Sequence, residues 1–137
     1  MSVPLERREV VRGWIIKAEH DLRTAEHTLT LENDCPFDMV CFHAQQCAEK
    51  YLKALLVYHG VEVPRTRDLT ELLPLLPPGV TVALDVEELA ELTPYAVGVR
   101  YPAPTREPGW DEAQRAVEIA RRVRAQVRSA LPMDEVG

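Results

Sequence analysis

The feature of the sequence that most constrains the fold is the spacing of its apolar residues, which alternates between three and four positions over long stretches. The stretch from Leu5 to Leu31 carries one such series, at Val11, Ile15, Ala18, Leu22, Ala25 and Leu29. At 3.6 residues per turn, this spacing places the series on one side of a helix about 40 Å long. Charged residues fill many of the other positions. A long amphipathic helix is therefore predicted for the start of the chain.

The same spacing recurs in a second stretch, which is bounded by residues that end helices. Pro36 disfavours helical geometry at the residue before it, so the first helix should end there and a second should run from about Phe37 to Tyr58. Gly60 is a natural stop after the second helix. The segment "RDLTELLPLL" then predicts a short helix, which Thr66 or Asp68 could cap.

The last part of the chain predicts two more helices. One runs from Asp85 to about Val99, with a kink or a restart at Pro94, and the other begins at Asp111. No segment shows the sustained alternation of a strand. We therefore predict an all-α fold in a single domain of residues 1–137: an antiparallel up-and-down four-helix bundle with one short extra helix.

Composition excludes several classes of protein. The apolar runs are shorter than the roughly 20 residues of a membrane span, and the first ten residues lack a signal-peptide core, which predicts a cytoplasmic protein that does not bind membranes. The net charge of −6 argues against a general surface for nucleic acid, and no DNA partner is expected. A local basic patch is still compatible with this charge.

Neither the cysteines nor the glycines of the sequence indicate a site for a cofactor. Cys35, Cys41 and Cys47 are spaced six apart, which fits neither a metal-binding pair nor a disulfide framework, so we predict free, buried or half-buried thiols and no metal site. The chain also lacks a glycine-rich phosphate loop, so independent nucleotide hydrolysis is not expected. No cofactor is predicted.

Arg100 and Tyr101 stand in the proline-rich segment "YAVGVRYPAPTREP". Pro102 restricts Tyr101 to extended geometry, so this junction could hold a guanidinium for a phosphate and a ring for a base with little loss of entropy on binding. In the alternative interpretation, Arg100 pairs with an acid such as Asp68 or Glu49, and Tyr101 packs as a structural latch. Both interpretations stay open.

A polar stripe is predicted on the second helix, because His43, Gln46, Lys50 and Lys53 fall at i, i+3, i+7 and i+10. It could receive a nucleotide phosphate, with His43 as the best available general acid or base. Alternatively the stripe is a solvated face or the rim of a dimer, above all at Lys53, and His43 is bonded within the fold.

Three arginines of the last helix, Arg121, Arg124 and Arg128, can share a face. They could bind nucleic acid, but the acidic total favours pairing with carboxylates or with the end of the helix. Trp14 and Trp110 are predicted to be packing residues, the second as an apolar anchor just before a helix N-cap.

Two long motifs, "FHAQQCAEKYLKALLVYHGVEVPRTRDLTELL" and "YAVGVRYP", resemble those of the HEPN family, and "WIIKAEHDLRTAEHTL" and "EAQRAVEIARRV" extend the resemblance over nearly the whole chain. The resemblance implies a four-helix up-and-down bundle that usually pairs as a homodimer, and members of the family are often encoded beside a minimal nucleotidyltransferase. In many members an Arg-x(4–6)-His motif is a metal-independent ribonuclease site, and in some toxin–antitoxin pairs the nucleotidyltransferase modifies a nearby tyrosine.

This chain departs from the family pattern at the ribonuclease motif. No histidine follows Arg100, and the segment "RTAEH", from Arg23 to His27, has too short a spacing and lies on the first helix. The family commonly carries the motif Thr-His-Asp-Leu, and in this chain Arg67 stands at the position of its histidine. Ribonucleolytic transesterification needs a group that moves a proton near neutral pH, and arginine does not.

The sequence therefore favours a non-catalytic HEPN module, which acts as a homodimer with a minimal nucleotidyltransferase. A nucleotide or RNA ligand would be held by Arg100, Tyr101, His43, Gln46 and Lys50. Two alternatives remain. One is a metal-independent RNA endonuclease, toxin-like, in which Arg100 holds the phosphate and His43 moves the proton, and the other is a purely structural dimerisation domain.

Overall fold

The structure, a computed structural model, describes residues 3–96 and 107–137 of the chain, and within these ranges all regular structure is helical. In chain order the helices are α1 (Leu5–Thr28), α2 (Phe37–Tyr58), α3 (Leu69–Leu72), α4 (Val86–Leu92), α5 (Trp110–Ala130) and α6 (Met133–Val136). Short 3-10 segments follow α3 (Leu73–Leu75) and α4 (Thr93–Ala96). The predicted all-α antiparallel bundle is confirmed.

Helix α1 forms because its apolar residues fall on one side and can be buried together. The predicted series from Val11 to Ala25 is buried, whereas Leu29 lies just beyond the end of the helix at Thr28. The chain then turns through Asp34, whose φ of 53° is in the left-handed region that aspartate tolerates. Pro36 precedes α2 directly. Helices α1 and α2 are thereby joined by a short connection and pack against each other along their length.

Helix α2 is the centre of the fold, because it packs against α1, α5 and the shorter helices. Its bounds agree with the prediction, and it is buried on most of its sides. Small residues allow this close packing: Ala44 and Ala48 of α2 and Ala116 and Ala120 of α5 are at most 1% exposed. The apolar core is therefore built around α2.

The segment between α2 and α5 has the most irregular helices. Asp68 caps α3 by accepting hydrogen bonds from the backbone N–H and the hydroxyl of Thr70. Helix α4 ends at Leu92, and the chain continues as a 3-10 segment from Thr93, since Pro94 has no N–H for a helical hydrogen bond. Of the helix predicted to reach Val99, residues 97–99 lie outside the described part.

Two features toward the C-terminal end of the chain differ from the prediction. Helix α6 follows α5, and it buries Val136 while the Glu135 carbonyl accepts a hydrogen bond from Arg12 at 2.8 Å. Trp110 is the first residue of α5 and follows the N-cap Gly109, so its predicted place before the cap is wrong. Its ring nevertheless packs edge-on against Phe37, with 6.2 Å between centroids.

The cysteines are free thiols, as predicted. Cys41 and Cys47 are buried and Cys35 is half-buried. Burial raises the pKa of Cys41 to about 12, and nearby Glu112 adds to the effect, so this thiol stays protonated at neutral pH. In the described ranges, no helix is long and apolar enough to cross a membrane.

Candidate functional site

One side of α2 carries five polar residues, which we call the α2 polar face: His43, Gln46, Glu49, Lys50 and Lys53. Three of them are polar but mostly buried: Gln46, Glu49 and Lys53. Helix α1 lies on one side of this face, and the loop around Arg67 lies on the other, as the contacts below show. The face is thus bordered by α1 and by the loop around Arg67.

Asp21 of α1 holds two members of the α2 polar face. Its Oδ1 is 2.8 Å from His43 Nδ1, and its Oδ2 accepts a hydrogen bond from Lys50 Nζ. Asp21 is only 8% exposed, while the side chains of His43 and Lys50 are both 23% exposed. The interpretation of His43 as a histidine bonded within the fold therefore holds, although its ring still reaches solvent.

A buried network continues the face toward the C-terminal end of α2. Gln46 donates to Gln45 Oε1 at 2.7 Å, Gln45 donates to Glu49 Oε1 at 3.1 Å, and Lys53 Nζ donates to Glu49 Oε2 at 2.9 Å. A buried charge is costly unless it is paired, and here each charge has its partner.

Lys53 corrects one expectation from the sequence. It is only 8% exposed, and its Nζ lies 5.9 Å from the centroid of the Trp14 ring, so it does not belong to a solvated face. The ion pair with Glu49 and the ring of Trp14 together replace the water that the ammonium loses. Trp14 is half-buried and packs against the core, as predicted.

The loop around Arg67 contacts both α2 and Ala96, the last residue of the 3-10 segment that follows α4. Gln45 Nε2 donates to the Arg67 carbonyl at 3.1 Å, and the Arg67 guanidinium donates to the Ala96 carbonyl at 3.2 Å. The position where the family carries a histidine is therefore used in this chain for a contact to the backbone of Ala96. This contact holds the end of the 3-10 segment against the loop.

Arg100 and Tyr101 lie outside the described residues, so their predicted contacts are not described. Arg100 follows Ala96 by four residues in the chain. The acids proposed as structural partners of Arg100 already have other partners: Glu49 binds Gln45 and Lys53, and Asp68 binds Thr70. Hydrogen bonds from Thr70 hold the pKa of Asp68 below its usual value.

The α2 polar face offers hydrogen-bond donors and little net charge. Lys50 and Lys53 each lie against a carboxylate, and Arg67 is exposed. Such a site suits a small ligand with one phosphate-bearing end better than a long polyanion. Among the described residues, no cluster of histidine, cysteine or acidic side chains has the arrangement of a metal site.

The arginines of α5 serve the fold, as the pairing interpretation predicted. Arg124 and Arg128 bind Glu19 of α1, and Arg121 binds Glu26. A cleft of about 440 Å³ between α1 and α5 contains several of these residues. Burial alone raises the pKa of Glu19. The hydrogen bond and charge of Arg124, with smaller contributions from Tyr51 and Arg128, lower this pKa by more than burial raises it, so the net pKa is below the usual value.

Comparison with known proteins agrees with this architecture. A family model described as the HEPN domain matches residues 11–130, which is most of the chain. The chain therefore belongs to the HEPN family, and the resemblance noted in the sequence is confirmed. No match was found among curated proteins.

Two solved structures are similar. The crystal structure of TT1696 from Thermus thermophilus has a TM-score of 0.80 and 33% sequence identity, and the match covers 90% of this chain and 99% of that chain. ST0689, an archaeal HEPN homologue, has a TM-score of 0.67 and 27% identity, with 87% of this chain and 95% of that chain covered. The fold is thus shared over nearly the full length.

Proposed function

We propose that this chain is a non-catalytic HEPN module that works as a homodimer with a minimal nucleotidyltransferase. In this proposal a nucleotide lies in a groove above the α2 polar face. Arg100 binds a phosphate and Tyr101 stacks on the base, while His43, Gln46 and Lys50 supply the wall of the groove.

The observation that carries the proposal is the partly exposed pair His43 and Lys50 above a buried network. Both side chains are oriented by Asp21, and Gln46 is oriented by Gln45. Polar groups that are fixed in advance lose less entropy when they bind a ligand. The contact between Arg67 and Ala96 supports the proposal further, because the Arg67 carbonyl also accepts a hydrogen bond from Gln45 of the buried network, and Arg100 follows Ala96 by four residues in the chain.

The absence of a histidine after Arg100 supports a binding role over cleavage. An arginine stabilises phosphate charge but does not move a proton near neutral pH. Residues 101–137 contain no histidine, so the family's usual proton carrier is missing from the sequence.

Equilibrium binding of ATP, measured by titration calorimetry, tests the proposal. We expect the wild-type chain to bind ATP, and Arg100→Ala to weaken binding about tenfold or more, as loss of a charged phosphate contact should. Lys50→Gln should also weaken it, because glutamine is polar but lacks the positive charge of lysine. Arg23→Ala removes an exposed arginine of α1 and serves as the control. Equal affinity of wild type and Arg100→Ala would contradict the assigned site.

A second candidate function is a metal-independent RNA endonuclease. It is favoured by the contact between Asp21 and His43 Nδ1, which leaves Nε2 as the ring nitrogen available to a substrate. In this case RNA cleavage in the presence of a chelator should be lost in Arg100→Ala and reduced in His43→Ala. For a purely structural dimerisation domain, Arg100→Ala should change stability alone.

A further inference from the structure

Asp21 is a buried carboxylate that joins two partly exposed basic side chains of the α2 polar face. His43 and Lys50 are about two helical turns apart on α2, yet each bonds one oxygen of this carboxylate, His43 through Nδ1 at 2.8 Å and Lys50 through Nζ. Asp21 is 8% exposed, and the side chains of the other two are each 23% exposed. The three residues, which we call the Asp21 triad, therefore form one charged unit that reaches solvent through His43 and Lys50.

The hydrogen atom in the contact between Asp21 and His43 belongs to the imidazole. A carboxylate oxygen only accepts hydrogen bonds, so Nδ1 of His43 carries the hydrogen and donates it. In the neutral ring Nε2 is then an acceptor, and it does not bond an ionised phosphate oxygen, which also only accepts. In the protonated ring Nε2 is a donor as well. Only the protonated form of His43 can therefore donate to a phosphate while it keeps its bond to Asp21.

The charge of the Asp21 triad changes with the same proton. The ammonium of Lys50 cancels the charge of the Asp21 carboxylate, so the triad is neutral with a neutral His43 and carries one positive charge with a protonated His43. Histidine is the side chain whose charge ordinarily changes between pH 5 and 8, whereas aspartate and lysine keep theirs. The triad therefore attracts a phosphate more strongly once the ring is protonated.

Within the described ranges, Asp21 is the charged group that pairs with the ring of His43. Helices α1, α4 and α5 and the 3-10 segment after α4 also lie around α2, and most of their charged side chains pair with one another. These pairs are Glu19 with Arg124 and Arg128, Glu26 with Arg121, Glu88 with Arg115 and Arg122, and Tyr95 with Glu112. On α2 itself, Glu49 pairs with Lys53. A change of charge at His43 therefore acts first on Asp21 and Lys50.

We propose that the α2 polar face binds the phosphate end of its nucleotide together with a proton, which His43 takes up from the buffer. This inference rests on the proposed function and adds its regulation by pH, because binding is strong with the protonated ring and weak with the neutral ring. Lys50 and Arg100 keep their charges throughout this range. Asp21 is a positioning residue, because it orients the ring and offsets the repulsion between the protonated ring and Lys50.

The test measures the affinity for ATP at pH 6.0 and pH 8.0 by titration calorimetry, with wild type and His43→Gln in parallel. Glutamine is polar and does not titrate. We expect wild type to lose about tenfold in affinity from pH 6.0 to pH 8.0 beyond the loss seen in His43→Gln, because a charged hydrogen bond to phosphate is lost. The comparison with the variant removes the titration of the ATP phosphate itself, which occurs at about pH 6.

A matched control is His20→Gln, at an exposed histidine of α1 outside the triad. It should keep the pH dependence of wild type. Circular dichroism at both pH values shows whether each variant is folded.

A second readout counts the protons directly. The enthalpy of ATP binding at pH 7.0 is measured in two buffers that differ in their enthalpy of ionisation, and the difference gives the number of protons taken up with the ligand. Wild type should take up more protons for each ATP than His43→Gln. Asp21→Asn should lower the uptake to that of His43→Gln, because a protonated ring would then stand beside Lys50 without a carboxylate. His43→Gln carries the test if Asp21→Asn does not fold.

Three outcomes would overturn the inference. If wild type and His43→Gln bind ATP with the same pH dependence and the same proton uptake, the proposed function stands without the coupling. If the affinity of wild type rises with pH relative to that of His43→Gln, the neutral ring is the form that binds. If wild type binds no ATP at either pH, the proposed function fails together with the coupling.

Discussion

His59, directly after α2, is a residue whose burial sets a pH dependence. Its Nε2 is buried and has no hydrogen-bond partner among the described residues, and burial lowers the pKa of the ring from its ordinary value of 6.5. The folded state therefore favours the neutral ring. As the pH falls through about 6.5, the unfolded chain takes up a proton that the folded chain does not, so stability declines until the lower folded pKa is passed.

We predict that the free energy of unfolding falls between pH 7.5 and pH 5.5, and that His59→Gln reduces this fall. Glutamine does not titrate, so the variant removes the difference in proton uptake at this position. Urea denaturation followed by circular dichroism at both pH values measures the effect. The exposed His20 provides the control, because His20→Gln should keep the wild-type pH dependence. An unchanged dependence in His59→Gln would contradict the assignment.

At the scale of single residues, the sequence predicted which side chains are polar neighbours on one helix but not what they bind. The spacing of His43 and Lys50 follows from the helical period, and both lie on the α2 polar face. Their common partner Asp21 was not predicted, because nothing in the sequence around it distinguishes this acid from the other charged residues of α1. Lys53 was misjudged for a related reason, since its burial depends on Trp14 and on the packing of α1.

At the scale of elements, α5 is held to its neighbours by arginines on its outer side. Glu19 of α1 receives Arg124 and Arg128, and Glu88 of α4 receives Arg115 and Arg122. These pairs lie around apolar contacts that provide most of the stability, because partly exposed ion pairs contribute little each. Their pairing gives α5 a defined position relative to both helices.

We predict that Glu19→Gln lowers the free energy of unfolding by about 1 kcal/mol at low salt. The variant breaks the contacts to two arginines while it keeps the size of the side chain. The loss should shrink in 0.5 M NaCl, where exposed charges are screened. Urea denaturation at both salt concentrations measures it. Glu62→Gln, at an exposed loop residue, should have no effect; an equal loss in both variants would show that the pairs of Glu19 are not the cause.

The bounds of the helices were predictable where local signals mark them. Pro36 and Gly60 flank α2, and both of its ends agree with the prediction. The 3-10 segment after Leu92 was less evident, because Pro94 permits a kink, a restart or a tighter turn and tertiary packing selects among them. Helix α6 has four residues, too few for a period, and it is stabilised by burial of Val136 and by Arg12.

At the scale of the whole molecule, the apolar spacing was sufficient for the fold class, and the motifs were sufficient for the family. The candidate site was predictable only in part. Distances between helices, such as that between Asp21 and His43, arise from packing and are not encoded in spacing along either helix. The contacts of α1 and of the Arg67 loop around the α2 polar face likewise form only once both have packed on α2.

The central claim is that this HEPN chain uses its groove to bind and not to cleave. Its most direct test is incubation of purified protein with a mixed pool of cellular RNA in the presence of a chelator, with Arg100→Ala in parallel. We predict that the RNA stays intact with both proteins, because no histidine follows Arg100. Cleavage by wild type that is lost in Arg100→Ala would contradict the claim and assign the proton transfer to another group, with His43 beside Asp21 as the first candidate.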